Sequence, residues 1–163
     1  MIRKAVPDDA ERLLQLFKEV DQSNVMLYGP GERQTRPEQI RKRITAVSET
    51  DTSVWLVEDI GGVLAGYILI EGSTLARVKH TIYLVIGISE AFRGQGIGTR
   101  LFEEMEKWAV EHAVHRVELT VLAHNESARA LYRKMGFEVE GTKRNSVFID
   151  GRYCDEYYLS KLI

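Results

Sequence analysis

The sequence predicts a fold of the α/β (α+β) class, and three observations predict it. Short apolar runs bounded by turn residues recur along the chain, which is the signature of strands. Between them lie stretches with apolar residues at helical spacing, each opened or closed by a capping residue. One apolar run, Val85-Ile86-Gly87-Ile88, passes through Arg93 and three alternating glycines straight into an amphipathic helix.

The elements follow in order. Ile2 to Val6 reads as a short strand, and Asp8-x-x-Glu11 resembles a capping box opening a helix with Leu13, Leu14, Phe17 and Val20 on one face, ending near Asp21. A loop from Gln22 to Arg36 carries Gly29-Pro30-Gly31. Thr35-Arg36-Pro37-Glu38 is a second capping-box pattern, starting a helix that runs to Glu49. Thr52 to Glu58 and Val63 to Glu71 are strands joined at Asp59-Ile60-Gly61-Gly62, a hairpin signal. Thr81 to Ile88 is the next strand. The helix from Gly98 to His112 shows Leu101, Met105, Trp108 and Ala109 at core spacing. Val117 to Leu122 is a strand, and the helix from Ser127 to Met135 stops at Gly136, a C′ glycine. Phe137 to Lys143, then Ser146 to Ile149 turning at Asp150-Gly151 into Tyr153 to Leu159, close the chain. The order is β-α-α-β-β-β-α-β-α-β-β.

The 163 residues, 44% of them hydrophobic with three prolines, suit one ordered domain spanning 1–163. No apolar stretch approaches the ~18–20 residues of a membrane span, and the N-terminus lacks a signal-peptide core, so a cytoplasmic protein is expected. With 22 basic and 24 acidic residues the net charge is −2, which gives no general attraction for nucleic acid. The single cysteine, Cys154, rules out an intramolecular disulfide, and His112 and His115 lack a third ligand type nearby, so no metal is expected.

Chemistry concentrates in Arg93-Gly94-Gln95-Gly96-Ile97-Gly98-Thr99. Glycines let a backbone adopt φ > 0 and bring its N–H groups close to an anion, and the helix that follows adds its dipole and unpaired N–H groups. This is a cradle for a diphosphate. The spacing is neither the G-x-G-x-x-G of dinucleotide-binding folds nor a P-loop ending in G-K-[ST]. It is R-x-x-G-x-G, the pyrophosphate-binding signature of the GNAT family of N-acetyltransferases. Further along, Asn125-Glu126-Ser127-Ala128-Arg129-Ala130-Leu131-Tyr132-Arg133-Lys134-Met135-Gly136-Phe137 matches that family's N-x-x-A-x-x-L-Y-x-x-x-G-F segment. The chain resembles the GNAT family from Val85 to Phe137 explicitly and more loosely toward both ends.

The resemblance implies a mixed, mostly antiparallel sheet of about seven strands with helices on both faces. It implies acetyl-coenzyme A as co-substrate and a primary amine as acceptor: a protein N-terminus, a polyamine or a small amino compound. Strands four and five are splayed in the family, and the pantetheine arm pairs with the exposed backbone. Carried over, Ile86 and Ile88 offer main-chain groups to its amides, and the N–H of Ile88 polarises the thioester carbonyl. Arg93, Gly94, Gln95, Gly96, Ile97, Gly98 and Thr99 hold the pyrophosphate. Asn125 caps a helix and contacts the arm, and Ala128 is small where the arm crosses. Tyr132 stands where the family places a phenol that donates to the departing thiolate.

The general base is open. A lysine-type amine with pKa ~10.4 is almost wholly protonated at neutral pH, whereas an α-amine near ~8 is roughly a tenth free. Some ribosomal-protein acetylating members carry a strand-five glutamate where this chain has Thr120, which leaves Glu71, His80 and Tyr83 as candidates. Asp155 and Glu156 either meet a cationic acceptor or bond neighbouring strands. A homodimer is common among similar proteins. The rival readings are a non-catalytic acyl-coenzyme A sensor and an interaction module with the same fold.

Overall fold

Gly61 and Gly62 take positive φ (61° and 87°), which only glycine adopts freely, and so turn β2 (Val54–Ile60) back onto β3 (Val63–Gly72). The computed structural model describes residues 1–163, in the expected element order. The others are β1 (Ile2–Lys4), α1 (Ala10–Asp21), α2 (Pro37–Ser48), β4 (Thr81–Ile88), α3 (Ile97–Glu111), β5 (Arg116–Leu122), α4 (Glu126–Lys134), β6 (Glu138–Ile149) and β7 (Arg152–Leu162).

The strands form one seven-stranded sheet in the order β1-β2-β3-β4-β5-β7-β6. Every neighbouring pair is antiparallel except β4 and β5, which run parallel. That parallel pairing stops early: it joins Thr81 to Arg116, Ile82 to Val117 and Tyr83 to Glu118, and nothing beyond. Leu84 to Ile88 and Leu119 to Leu122 therefore diverge, and the sheet opens as a V between two arms.

Alternation decides which side chain faces which layer. Ile68, Ile70, Leu84, Val117 and Leu119 are buried against Leu101, Phe102 and Met105 of α3 on one face. Val57, Leu69 and Tyr67 meet Leu13, Phe17, Ile40 and Ile44 of α1 and α2 on the other. In α1 the buried stripe is Leu13, Leu16, Phe17 and Val20; Leu14 is only partly buried and yields its expected place to Leu16.

Both predicted capping boxes are displaced, the first by two residues toward the N-terminus and the second by one toward the C-terminus. The Asp9 carboxylate, rather than Asp8, accepts from the backbone N–H of Val6 at 2.8 Å, ahead of α1. At α2 the N–H of Arg36 donates to Gln39 Oε1 at 2.7 Å, in place of a Thr35–Glu38 pair. In each case the residue before a proline is held extended, so the helix begins at the proline and the reciprocating side chain lies two residues after it. Asp9 is fully buried and also accepts from Arg3 (2.8 and 2.9 Å) and Arg12, tying β1 to α1. The closing strand read as two pieces is continuous: β6 runs unbroken to Ile149 and absorbs irregularities at Val139/Gly141 and Lys143/Val147 as bulges. Asp150 and Gly151, with φ of 49° and 77°, make the tight turn into β7.

Candidate active site

The cradle forms as its residue types require. Gly94 and Gly96 adopt φ of 74° and 77°, and Gly96 is the N-cap of α3. A Cβ at Gly94 would meet nothing within 4 Å, so that glycine is there for its backbone alone. Gly98 serves another purpose. A Cβ there would lie 2.7 Å from Leu131 Cδ2 and 3.0 Å from Ile88 Cδ1, so its bare Cα lets α3, α4 and β4 close together. None of the backbone N–H groups from Gly94 through Thr99 has an acceptor within the protein. A row of unpaired donors at the positive end of a helix is an anion site.

Two features of the cradle escape sequence inspection. The Arg100 Nη1 donates to the carbonyl of Gln95 at 2.9 Å, while its Nε and Nη2 grip Glu58 Oε1 at 3.0 and 2.7 Å. Glu58 is only 4% exposed, so Arg100 braces the loop against a buried carboxylate on β2. Lys134 on α4 donates to Thr99 Oγ1 at 3.1 Å and places a second cation beside the first turn of α3. Arg93 itself is exposed, and no carboxylate pairs with it.

The gap below the cradle is lined by free backbone. In an antiparallel ladder, alternate residues turn both main-chain groups toward the same neighbour. Ser89 donates to the carbonyl of Ala65 in β3, so Gly87 and Val85 share that orientation, and Ile88 and Ile86 face away into the gap. Opposite them, Ala123 donates to Asp155, so Thr120 and Leu122 of β5 turn toward the same gap. The side chains of Ile86 and Ile88 pack against the α3 core. Gly87 must lack a side chain because a Cβ would stand 2.5 Å from Tyr67 Cε1.

Asn125 caps α4, its Oδ1 accepting from the N–H of Ala128 at 3.3 Å, as expected. Tyr132 is 8% exposed, its ring edge-on to Phe102 and Phe137 at centroid distances of 5.8 and 6.0 Å. Its hydroxyl finds no acceptor in the protein. Burial, followed by the phenols of Tyr83 and Tyr67, pushes its pKa above the ordinary tyrosine value.

A cradle of R-x-x-G-x-G with its donors unpaired, set beside a splayed parallel pair, is matched by one family description. The "Acetyltransferase (GNAT) family" covers residues 11–137. The chain belongs to this family. As a GNAT acetyltransferase it is an acyl-transferring enzyme whose co-substrate is acetyl-coenzyme A. The chain is 32% identical over 111 residues to the L-amino acid N-acetyltransferase of Escherichia coli, covering 66% of this chain and 67% of that one. It is 39% identical over 103 residues to an N-alpha-acetyltransferase of Mycobacterium tuberculosis, covering 62% and 61% of the two. A GNAT acetyltransferase from Streptococcus pneumoniae superposes with a TM-score of 0.94 at 28% identity, over 100% of this chain and 98% of that one. A Salmonella typhimurium acetyltransferase solved with its cofactor acetyl-CoA shares the fold at a TM-score of 0.88 and 17% identity, over 99% and 92% of the chains.

In this GNAT chain the candidate bases separate. Glu71 is held by Arg43 at 2.5 Å, and His80 precedes β4 at its paired end, away from the gap. Tyr83 stands at the vertex of the V, its hydroxyl 2.9 Å from that of Thr120. Around that pair opens a groove of about 390 Å³ whose walls include Glu118, Glu140 and Tyr158. Arg116 pairs with both carboxylates, at 2.7 Å to Glu118 and 2.6 Å to Glu140. The Arg116 hydrogen bond, then one from Ser160, holds Glu140 down to about pKa 2. Asp155 and Glu156 bond within the hairpin, to the Asn145 N–H at 2.8 Å and the Ser146 hydroxyl at 2.9 Å. No helix of the chain is long and apolar enough to cross a membrane.

Proposed function

We propose that the protein is a cytoplasmic N-acetyltransferase, a single domain over 1–163, that passes the acetyl group of acetyl-coenzyme A to a primary amine by direct attack. The observation that carries the reading is the row of unpaired N–H groups from Gly94 to Thr99 at the head of a gap whose walls are unpaired strand backbone. The donor set suits the coenzyme: an anion site for the pyrophosphate, then alternating amide donors and acceptors for an arm that itself carries amides. Arg93, Gly94, Gln95, Gly96, Ile97, Gly98 and Thr99 hold the pyrophosphate, with Lys134 adding charge. Ile86 and Ile88 pair with the arm. Asn125 and Ala128 fix the turn that α4 needs to border it.

The thioester lies deep in the gap. The N–H of Ile88, which like that of Ile86 turns into the gap, is the donor to the thioester oxygen. A fixed backbone donor aimed at developing negative charge lowers the barrier without reorganisation. Tyr132 remains protonated at neutral pH and donates a hydrogen bond to the leaving thiolate. The Tyr83–Thr120 hydroxyls mark where the amine meets the thioester and shed its proton toward solvent. Relatives that act on amino acids and on protein N-termini support an amine acceptor. The exposed β6 edge, with Val139 and Phe148 outward, is where a second copy pairs in a homodimer.

The test is a melting curve with acetyl-coenzyme A against NAD and ATP, followed by thiol release with free amino acids, peptide N-termini and spermidine. At ~100-fold over the dissociation constant the ligand adds ~2.7 kcal/mol, about 5–11 °C for a chain of this size. A selective shift with amine-dependent thiol release supports the reading. A shift without turnover on any amine makes the protein an acyl-coenzyme A sensor, and no shift makes it an interaction module.

A further inference from the structure

The two arms of the V part at Tyr83 and Glu118, yet one side-chain bond joins them again at the opposite end. Glu19, near the end of α1, accepts from Ser89 Oγ at 2.6 Å and from the Glu90 N–H at 3.0 Å. The C-terminal end of α1 is therefore fixed at the outer end of β4. Asn24 lies three residues beyond the end of α1, its N–H bonded to the carbonyl of Asp21 at 3.2 Å, and Asp21 is itself buried and held by Arg33 at 2.7 Å. On the other arm β7 runs antiparallel to β5 with Glu156 opposite Leu122, so the turn at Asp150-Gly151 projects beyond the outer end of β5. Asn24 Nδ2 donates to Asp150 Oδ2 at 2.9 Å.

The result is a closed ring. It runs from the Tyr83–Thr120 bond along β4 to Ser89, through Glu19 and the end of α1 to Asn24, across to Asp150, and back down β7 and β5. The opposite face of the sheet is occupied by α3 and α4. Both latch residues have left-handed backbones, with φ of 60° at Asn24 and 49° at Asp150, so each is set by its own turn rather than at the tip of a loose loop.

We infer that the acceptor amine reaches the gap through this ring, and that Asn24 and Asp150 set its selectivity by admitting slender, unbranched amines and holding back amines borne on bulky bodies. This inference rests on the acetyltransferase reading above. It assigns the substrate class as a small linear amine or the flexible end of a chain, not a lysine on the surface of a folded protein.

The test uses Asn24→Gly, Asp150→Gly and the double variant, because glycine keeps the left-handed backbone and deletes only the latch. The probes are n-hexylamine and 1-adamantanemethylamine, both primary amines on a CH₂ and differing in bulk. The ratio of kcat/KM, bulky over slender, rises about fivefold in each single variant, the weight of one exposed hydrogen bond. The double variant rises no further, since all three lose the same bond. In the protein without coenzyme, backbone hydrogen exchange across Ile149 to Tyr153 accelerates by a similar factor. An unchanged ratio in variants that still acetylate n-hexylamine overturns the latch and leaves the acetyltransferase reading standing, as does a double variant equal to the product of the singles. Unaltered exchange overturns the latch independently of any activity. A wild-type protein silent on both probes and on the amine panel overturns the enzyme reading and the latch with it.

Discussion

Replacing Tyr132 by Phe removes one oxygen from a ring otherwise held by Phe102 and Phe137. The packing survives, and the deleted hydroxyl has no partner in the protein, so the melting temperature stays within a few degrees. The effect on catalysis follows from acidities. An ordinary phenol near pKa ~10 already exceeds a thiol near ~8.5, so full proton transfer to the thiolate costs about 2 kcal/mol before any effect of burial. Burial raises the phenol further and widens that gap. In the proposed role Tyr132 donates a hydrogen bond to a charged acceptor, worth ~1.5–3 kcal/mol, which is about 10- to 150-fold in rate. Thiol release at saturating acetyl-coenzyme A should show this loss in kcat, while calorimetric affinity for coenzyme A changes by less than about threefold. Because the phenol stays protonated, the pH profile of the wild type should show no loss of activity assignable to Tyr132 below about pH 10. A kcat within threefold of wild type would refute the role of Tyr132 in leaving-group departure.

Gly96→Ala places a Cβ on a left-handed N-cap and 3.3 Å from Arg100 Nη1; a cost of about 1–2 kcal/mol in stability and weaker coenzyme binding are expected, by melting and calorimetry. Arg100→Met leaves Glu58 buried without its cation and should destabilise by about 3 kcal/mol, the low end for a broken buried pair because Arg100 is itself 43% exposed in its side chain; adding Glu58→Met should restore most of the loss in denaturant melts. Asp9 gives the pH dependence: burial raises its pKa, but hydrogen bonds from Arg3 and the Val6 N–H outweigh that and hold it below the ordinary value. A depressed folded-state pKa means stability that is present above the unfolded value of ~3.9 and lost as pH falls below it. Asp9→Asn should therefore be less stable than wild type at neutral pH and lose less on acidification toward pH 3, and parallel acid-melting curves would contradict this.

What was legible in the sequence was whatever a short segment demands of its own backbone. Gly94 and Gly96 announce their positive φ because no other residue adopts it freely, and Asn125 announces its cap for a similar reason. The displacement of both capping boxes shows the limit of that logic. Asp8 and Asp9 are chemically equivalent, and only the tertiary pull of Arg3 and Arg12 decides which one turns inward. Family resemblance, not alternation, supplied the splay of β4 from β5, since Val117 to Leu122 alternates in the same way whether its neighbour is a strand or a gap. The long-range side-chain bonds, Arg100 to Glu58 and Asn24 to Asp150, join residues far apart in the chain and leave no local trace. Glu71 illustrates the converse: a carboxylate near a strand end looks available until the fold delivers Arg43 to it.

Exposed strand edges invite other chains to add to the sheet, and proteins usually blunt them with charge, proline or a bulge. This protein carries two further edges inside itself, where β4 and β5 face each other unpaired. Geometry, rather than a charge or a proline, stands in the way of a foreign strand there. A foreign strand would have to thread between arms closed at Tyr83–Thr120 and again at Asn24–Asp150, whereas a narrow amide-bearing ligand slides in along its length. The same opening that costs the sheet its continuity thus has the shape of a slot for a narrow amide-bearing ligand and leaves little room for a whole strand.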